Sequence, residues 1–78
     1  MGKQVGTYLE TLRQQRGVSI RQLGERVGLS PAHLSMVERG QREVSIHTLY
    51  PLVQALDGDF KRALSLLALD AGVPEDAL

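Results

Sequence analysis

Apolar residues recur along the chain in steps of three and four, and a glycine closes each short series. Val5, Tyr8, Leu9 and Leu12 form one helical stripe, followed by Gly17, where a left-handed residue ends a helix; a first helix is predicted over about residues 4–16. Ser19 then offers a capping oxygen, Ile20, Leu23 and Val27 continue the period and Gly28 stops it, so a second helix has only about two turns. Ser30 repeats the cap. Pro31 follows at the first helical position, where its missing N–H is no loss, Leu34 and Val37 face inward, and Gly40 terminates a third helix over about residues 31–39.

A fourth helix carries Leu49, Leu52, Val53 and Leu56, and either Ser45 or Thr48 caps it. Pro51 decides between them. In a helix begun at Ser45 it removes an interior hydrogen bond and clashes with the carbonyl four residues back, at about 3 kcal/mol, so a start at Thr48 is expected and a kinked helix from Ser45 is the second choice. Gly58 ends this helix and Asp59 caps a fifth, with Phe60, Ala63, Leu64, Leu67 and Ala68 as its inward stripe; Gly72 and Pro74 stop it before a short acidic tail. Strand-like alternation is absent. The expected fold is all-α, a compact bundle of about five short helices in a single domain over residues 1–78.

Length and composition narrow the chemistry. A chain of 78 residues buries only about 60% of its unfolded surface, enough for a core but not for a core and a deep catalytic cleft, which argues against an enzyme. With no cysteine there is no disulfide framework, thiolate metal site or cysteine nucleophile. His33 and His47 stand too far apart for a paired zinc motif, and no glycine-rich phosphate loop exists, so no metal, cofactor or catalytic residues are expected. Met1 to Ile20 holds no hydrophobic block, and no apolar run approaches the roughly 20 residues of a membrane span. Met1-Gly2 begins like an acylation signal, but Gly6 stands where Ser or Thr is required. A soluble, cytoplasmic protein is expected.

Net charge is zero, yet the charges are unevenly placed. In residues 1–42 seven Lys and Arg face three Glu, whereas in residues 43–78 two face six Asp and Glu. The basic half suits a polyanion, because phosphate contact depends on local potential rather than on total charge. Scattered solvated arginines are the alternative.

Gly17-Val18-Ser19 and Gly28-Leu29-Ser30 repeat one glycine–apolar–serine pattern. The second joins two very short helices, as in a helix-turn-helix over about residues 19–39, although a plain helical bundle can also contain such a turn. From Gly17 to Leu56 the sequence resembles the phage-repressor-like, Xre-type helix-turn-helix family, through Leu23, Val27, Gly28, Leu29, Ser30, Leu34, Ser35, Glu38-Arg39-Gly40, Leu49 and Leu56. The resemblance implies a lambda-repressor-like bundle whose third helix enters the major groove of double-stranded DNA. Three positions depart from the family pattern: Ile20 replaces a frequent phosphate-binding glutamine, Gly24 the usual alanine and Val44 a frequent proline.

Successive residues of a helix turn by about 100°, so Val37 and Glu38 share the inner side of the third helix with Leu34, while Ala32, Arg39 and Met36 fall on the opposite side. Ser35 and His33 flank that outer face, each about 100° from Leu34 in opposite directions. Ala32 and Met36 suit thymine methyl groups, and His33 and Ser35 suit donors and acceptors on base edges. Arg39, Arg42, Arg21 and the cap at Ser30 suit phosphates. Pattern alone fits ordinary solvent exposure; the resemblance favours DNA. Glu38, pointing inward, requires a partner, and the resemblance pairs it with Arg13, the alternative being an unpartnered surface Glu.

In the region of about residues 59–78, Leu66, Leu69 and Val73 lie outside the inward stripe, which suggests homodimerisation, with burial inside the chain as the alternative. The expected function is a sequence-specific DNA-binding transcriptional regulator, a repressor bound to an inverted-repeat operator as a homodimer. The alternative is a protein-binding helix-turn-helix module, such as an antitoxin-like component with a protein partner, favoured by the neutral charge and by Ala32 and Met36.

Overall fold

The computed structural model describes residues 3–78; the Met1-Gly2 pair considered for acylation lies outside them. Five helices form, α1 (Gln4–Gln15), α2 (Ile20–Val27), α3 (Pro31–Glu38), α4 (Ile46–Ala55) and α5 (Phe60–Asp70), followed by a 3-10 turn at Glu75–Ala77, and among the described residues there is no strand. The fold is all-α. Side chains close the starts of four helices. Ser19 Oγ accepts from Gln22 N at 3.0 Å while Gln22 Oε1 accepts from Ser19 N at 2.9 Å, a reciprocal box that satisfies two donors at once. Ser30, Ser45 and Asp59 cap α3, α4 and α5 in the simpler one-way manner.

The core is one cluster built around Leu9, Leu23, Leu34, Val37, Leu49, Leu52, Val53 and Leu56. α1 lies against both α3 and α5, α2 against α3 and α4, and α4 against α5. At Gly6 the backbones of α1 and α3 touch: a Cβ there would stand 2.6 Å from the Glu38 carbonyl oxygen and closer still to that of Val37. Gly24 has a similar reason, since a Cβ would press on the Leu29 carbonyl oxygen; in place of the family's alanine it permits close approach in the turn.

Two expectations are corrected. α4 begins at Ile46 with Ser45 as its cap, so Pro51 lies inside the helix. Val44 and Leu49, on either side of the new first turn, bury in the same core, an arrangement that staples the entry of the helix at Ser45. Pro51 and His47 are both exposed, so the carbonyl that Pro51 leaves without a partner lies where water reaches it.

The second correction concerns α5. Its buried residues are Ala63 and Leu66, while Leu64, expected inward, is half-exposed. Leu66 is therefore a core residue and not available to face another subunit. The rotation follows from Asp70, whose carboxylate accepts from Gln4 N at 3.1 Å and Val5 N at 3.0 Å at the start of α1. Ala63 and Asp70 lie within about 20° of each other around the helix, with Leu66 about 60° away, so bonding Asp70 to α1 turns this side inward.

Gly6→Ala is expected to destabilise the protein by roughly 1–3 kcal/mol, the opposite sign to an unobstructed Gly-to-Ala change within a helix. Urea unfolding of the variant checks this; a gain in stability would show that α1 and α3 are not in backbone contact.

Candidate nucleic-acid interface

α2 and α3 are joined by Gly28-Leu29-Ser30, with Gly28 left-handed at φ 74°. The amides of Gly28 and Leu29 both reach the Gly24 carbonyl, at 2.8 and 3.0 Å, and half-buried Leu29 packs on the core, so the turn between the helices is tightly closed. α3 ends in a second closed turn. Gly40 N donates to Val37 O at 3.1 Å and Gln41 N to Met36 O at 2.9 Å, which fixes the chain as it leaves the helix at Arg39.

Between these turns α3 buries Leu34, Val37 and Glu38 and shows its other side to solvent. Ala32 and Arg39 are exposed, Met36 is 44% exposed, and His33 and Ser35 are half-buried at the flanks. Arg21 on α2 and Arg42 in the loop after α3 are exposed as well. Ser30 Oγ accepts from His33 N at 3.1 Å, which leaves its hydroxyl hydrogen free to donate outward.

Glu38 is buried at 5% exposure, and Arg13 grips both of its oxygens: Nε to Oε2 at 2.8 Å and Nη2 to Oε1 at 3.1 Å. Arg13 Nη1 also donates to Val18 O at 3.0 Å, tying α1 to the loop before α2. The hydrogen bond that Arg13 donates to Glu38 raises the guanidinium pKa above its usual value, against the opposing effect of burial. Arg13 remains a cation throughout the accessible pH range.

Other members of the basic half divide by role. Arg16 donates to Leu56 O at 2.9 Å and to Asp57 O at 3.0 Å, closing the carbonyl end of α4 with a cation suited to that end of the helix dipole. In the sequence Arg16 is one basic residue among seven in residues 1–42; its partners lie some forty positions away, and no local signal reveals them. Lys3, also far from α3 in sequence, lies with its side chain against Gly40. Of the residues assigned to pairing of subunits, Leu69 is half-buried against the core and Val73 is 37% exposed. Ile46 and Tyr50 form another exposed apolar pair, with Tyr50 edge-on to Phe60 at 5.0 Å; the sequence reading did not single them out.

A family model described as helix-turn-helix matches residues 9–62, from the middle of α1 into α5. The chain belongs to the Xre-type, phage-repressor-like helix-turn-helix family of transcriptional regulators. Within this family it is 41% identical over 56 residues to an HTH-type transcriptional regulator of Sinorhizobium fredii, y4dJ, covering 72% of this chain and 73% of the relative. It is also 36% identical over 61 residues to the regulator SutR of Escherichia coli, covering 78% of this chain but only 34% of SutR. The crystal structure of ClgR, the clp gene regulator of Corynebacterium glutamicum, superposes with a TM-score of 0.76 at 34% identity, covering 87% of each chain. No helix among the described residues is long and apolar enough to cross a membrane.

Removing either partner of the ion pair, as in Glu38→Ala or Arg13→Ala, is expected to cost roughly 3 kcal/mol, because the other charge stays buried and unmatched. Thermal or urea unfolding measures the loss. Unchanged stability in both variants would contradict a structural role for the pair.

Proposed function

We propose that this chain is a sequence-specific regulator that binds double-stranded DNA by laying α3 in the major groove. The observation that carries the reading is an outward α3 surface of small, soft and hydrogen-bonding groups bordered by exposed arginines. Ala32 and Met36 meet thymine methyl groups, and His33 and Ser35 meet base edges. Arg39, Arg42, Arg21 and the Ser30 hydroxyl take phosphates, contacts that position the helix without reading sequence. ClgR, named as a clp gene regulator, and the relatives named as transcriptional regulators support this assignment.

A helix of eight residues reads few base pairs, so the chain acts as a homodimer and recognises an inverted repeat with half-site centres about 10 bp apart. Exposed Val73, with the outer edge of Leu69, is the proposed contact between copies. The regulator represses by occupying such an operator in the cytoplasm.

Selection from random duplexes is expected to return an inverted repeat. Met36→Ala or His33→Ala should alter the same base position in both halves, at about 1–3 kcal/mol per lost contact. Arg39→Ala or Arg42→Ala should weaken every sequence alike and reduce the salt slope by about 0.9 each. No preference among duplexes would overturn the reading and favour a module that binds another protein.

Val73→Glu is expected to give a folded monomer with weak affinity for any site, measured by analytical ultracentrifugation alongside binding. A dimer that survives this change would move the subunit contact elsewhere.

A further inference from the structure

The amino end of α1 has no capping side chain of its own, and its first amides are held from the far end of the fold. Asp70, the last residue of α5, accepts from Gln4 N and Val5 N through its two oxygens at 3.1 and 3.0 Å. Thr7 N donates to Lys3 O at 2.9 Å. The peptide between Lys3 and Gln4 is thereby held at both its carbonyl and its amide, and the Lys3 side chain starts from beside that fixed unit.

From there it runs across Gly40. A Cβ built on that glycine would stand 2.6 Å from Lys3 Cγ and 3.1 Å from Lys3 Cβ, so the absence of a side chain at Gly40 makes the bed on which the lysine stem lies. Gly40, at φ 73°, directly follows exposed Arg39 and comes two residues before exposed Arg42. Lys3 is itself exposed, and the one ion pair among the described residues is that of Arg13 with Glu38, so the Lys3 ammonium is not engaged by a carboxylate. A lysine whose apolar stem rests on backbone keeps its charged head directed into water, or onto an anion placed there.

We infer that Lys3 is a further phosphate contact, joining Arg39 and Arg42 in one cationic edge at the exit of α3 that takes the sugar-phosphate backbone of duplex DNA. The inference rests on the DNA reading above and adds to it a residue from the opposite side of the sequence. Asp70 is a positioning residue in this arrangement: it touches no DNA, and acts by holding the amino end of α1 where the Lys3 stem crosses Gly40. Because phosphates carry no base identity, Lys3 contributes equally to every sequence.

The test is a fluorescence-anisotropy titration of the full chain against the selected duplex and a scrambled duplex between about 50 and about 200 mM salt. Lys3→Gln is expected to weaken both duplexes by the same factor and to reduce the magnitude of the salt slope by about 0.9, so that its deficit shrinks about 3.5-fold across that salt range. Lys3→Arg is expected to keep the slope. If Lys3→Gln leaves the slope unchanged in the assay where Arg39→Ala lowers it, the inference is overturned and the DNA reading stands. If the unsubstituted chain binds neither duplex, both are overturned.

Discussion

The bidentate pair of Arg13 and Glu38 is the interaction on which the arrangement of this domain depends. It places a carboxylate at the end of α3 in the protein interior and matches it with a guanidinium from α1, whose third nitrogen reaches the loop that leads into α2. One side chain therefore joins α1, the start of α2 and the end of α3. Replacing such a pair with hydrocarbon often leaves stability unchanged or raises it, so its value here is orientation. The guanidinium fork and the carboxylate fit in one geometry, and that geometry selects which side of α3 turns away from the core.

Close backbone contact reinforces this orientation. Gly6 lets α1 sit against the carbonyls of Val37 and Glu38, beside the ion pair, where any larger residue would push the helices apart. An eight-residue helix such as α3 has little stability by itself, and it persists because its inner face is held by packing, a buried charge and a closed turn at each end. Rigidity of this kind is what a recognition surface requires, since its side chains must meet their partners without first being ordered.

The cations of the first half illustrate how little a charge count says about function. Arg13 is spent on Glu38 and Arg16 on the carbonyls that end α4, so two of the seven cations in residues 1–42 do structural work inside the domain. Arg21, Arg39 and Arg42 stay in solvent. The acidic half is divided in the same way: Asp59 and Asp70 are engaged at helix starts. A chain with no net charge can thus keep free positive charge at the exit of α3, because part of its acidic charge is already satisfied by amides at helix starts.

Helix positions, the two serine caps around the turn and the outer face of α3 were legible in the sequence because each depends on residues within one or two turns of one another. Ser30-Pro31 and Gly28 act locally, and the period that buries Leu34 and Val37 also determines that Ala32 and Met36 point away from them. The start of α4, the face of α5 and the environment of Lys3 were not legible. Ser45 wins over Thr48 because Val44 and Leu49 share a core built by other helices, and Ala63 and Leu66 turn inward because Asp70 finds the amides of α1. Local order was thus written in neighbouring residues, whereas helix rotation and the meeting of Lys3 with Gly40 were decided by contacts between distant segments, which exist only once the core has closed.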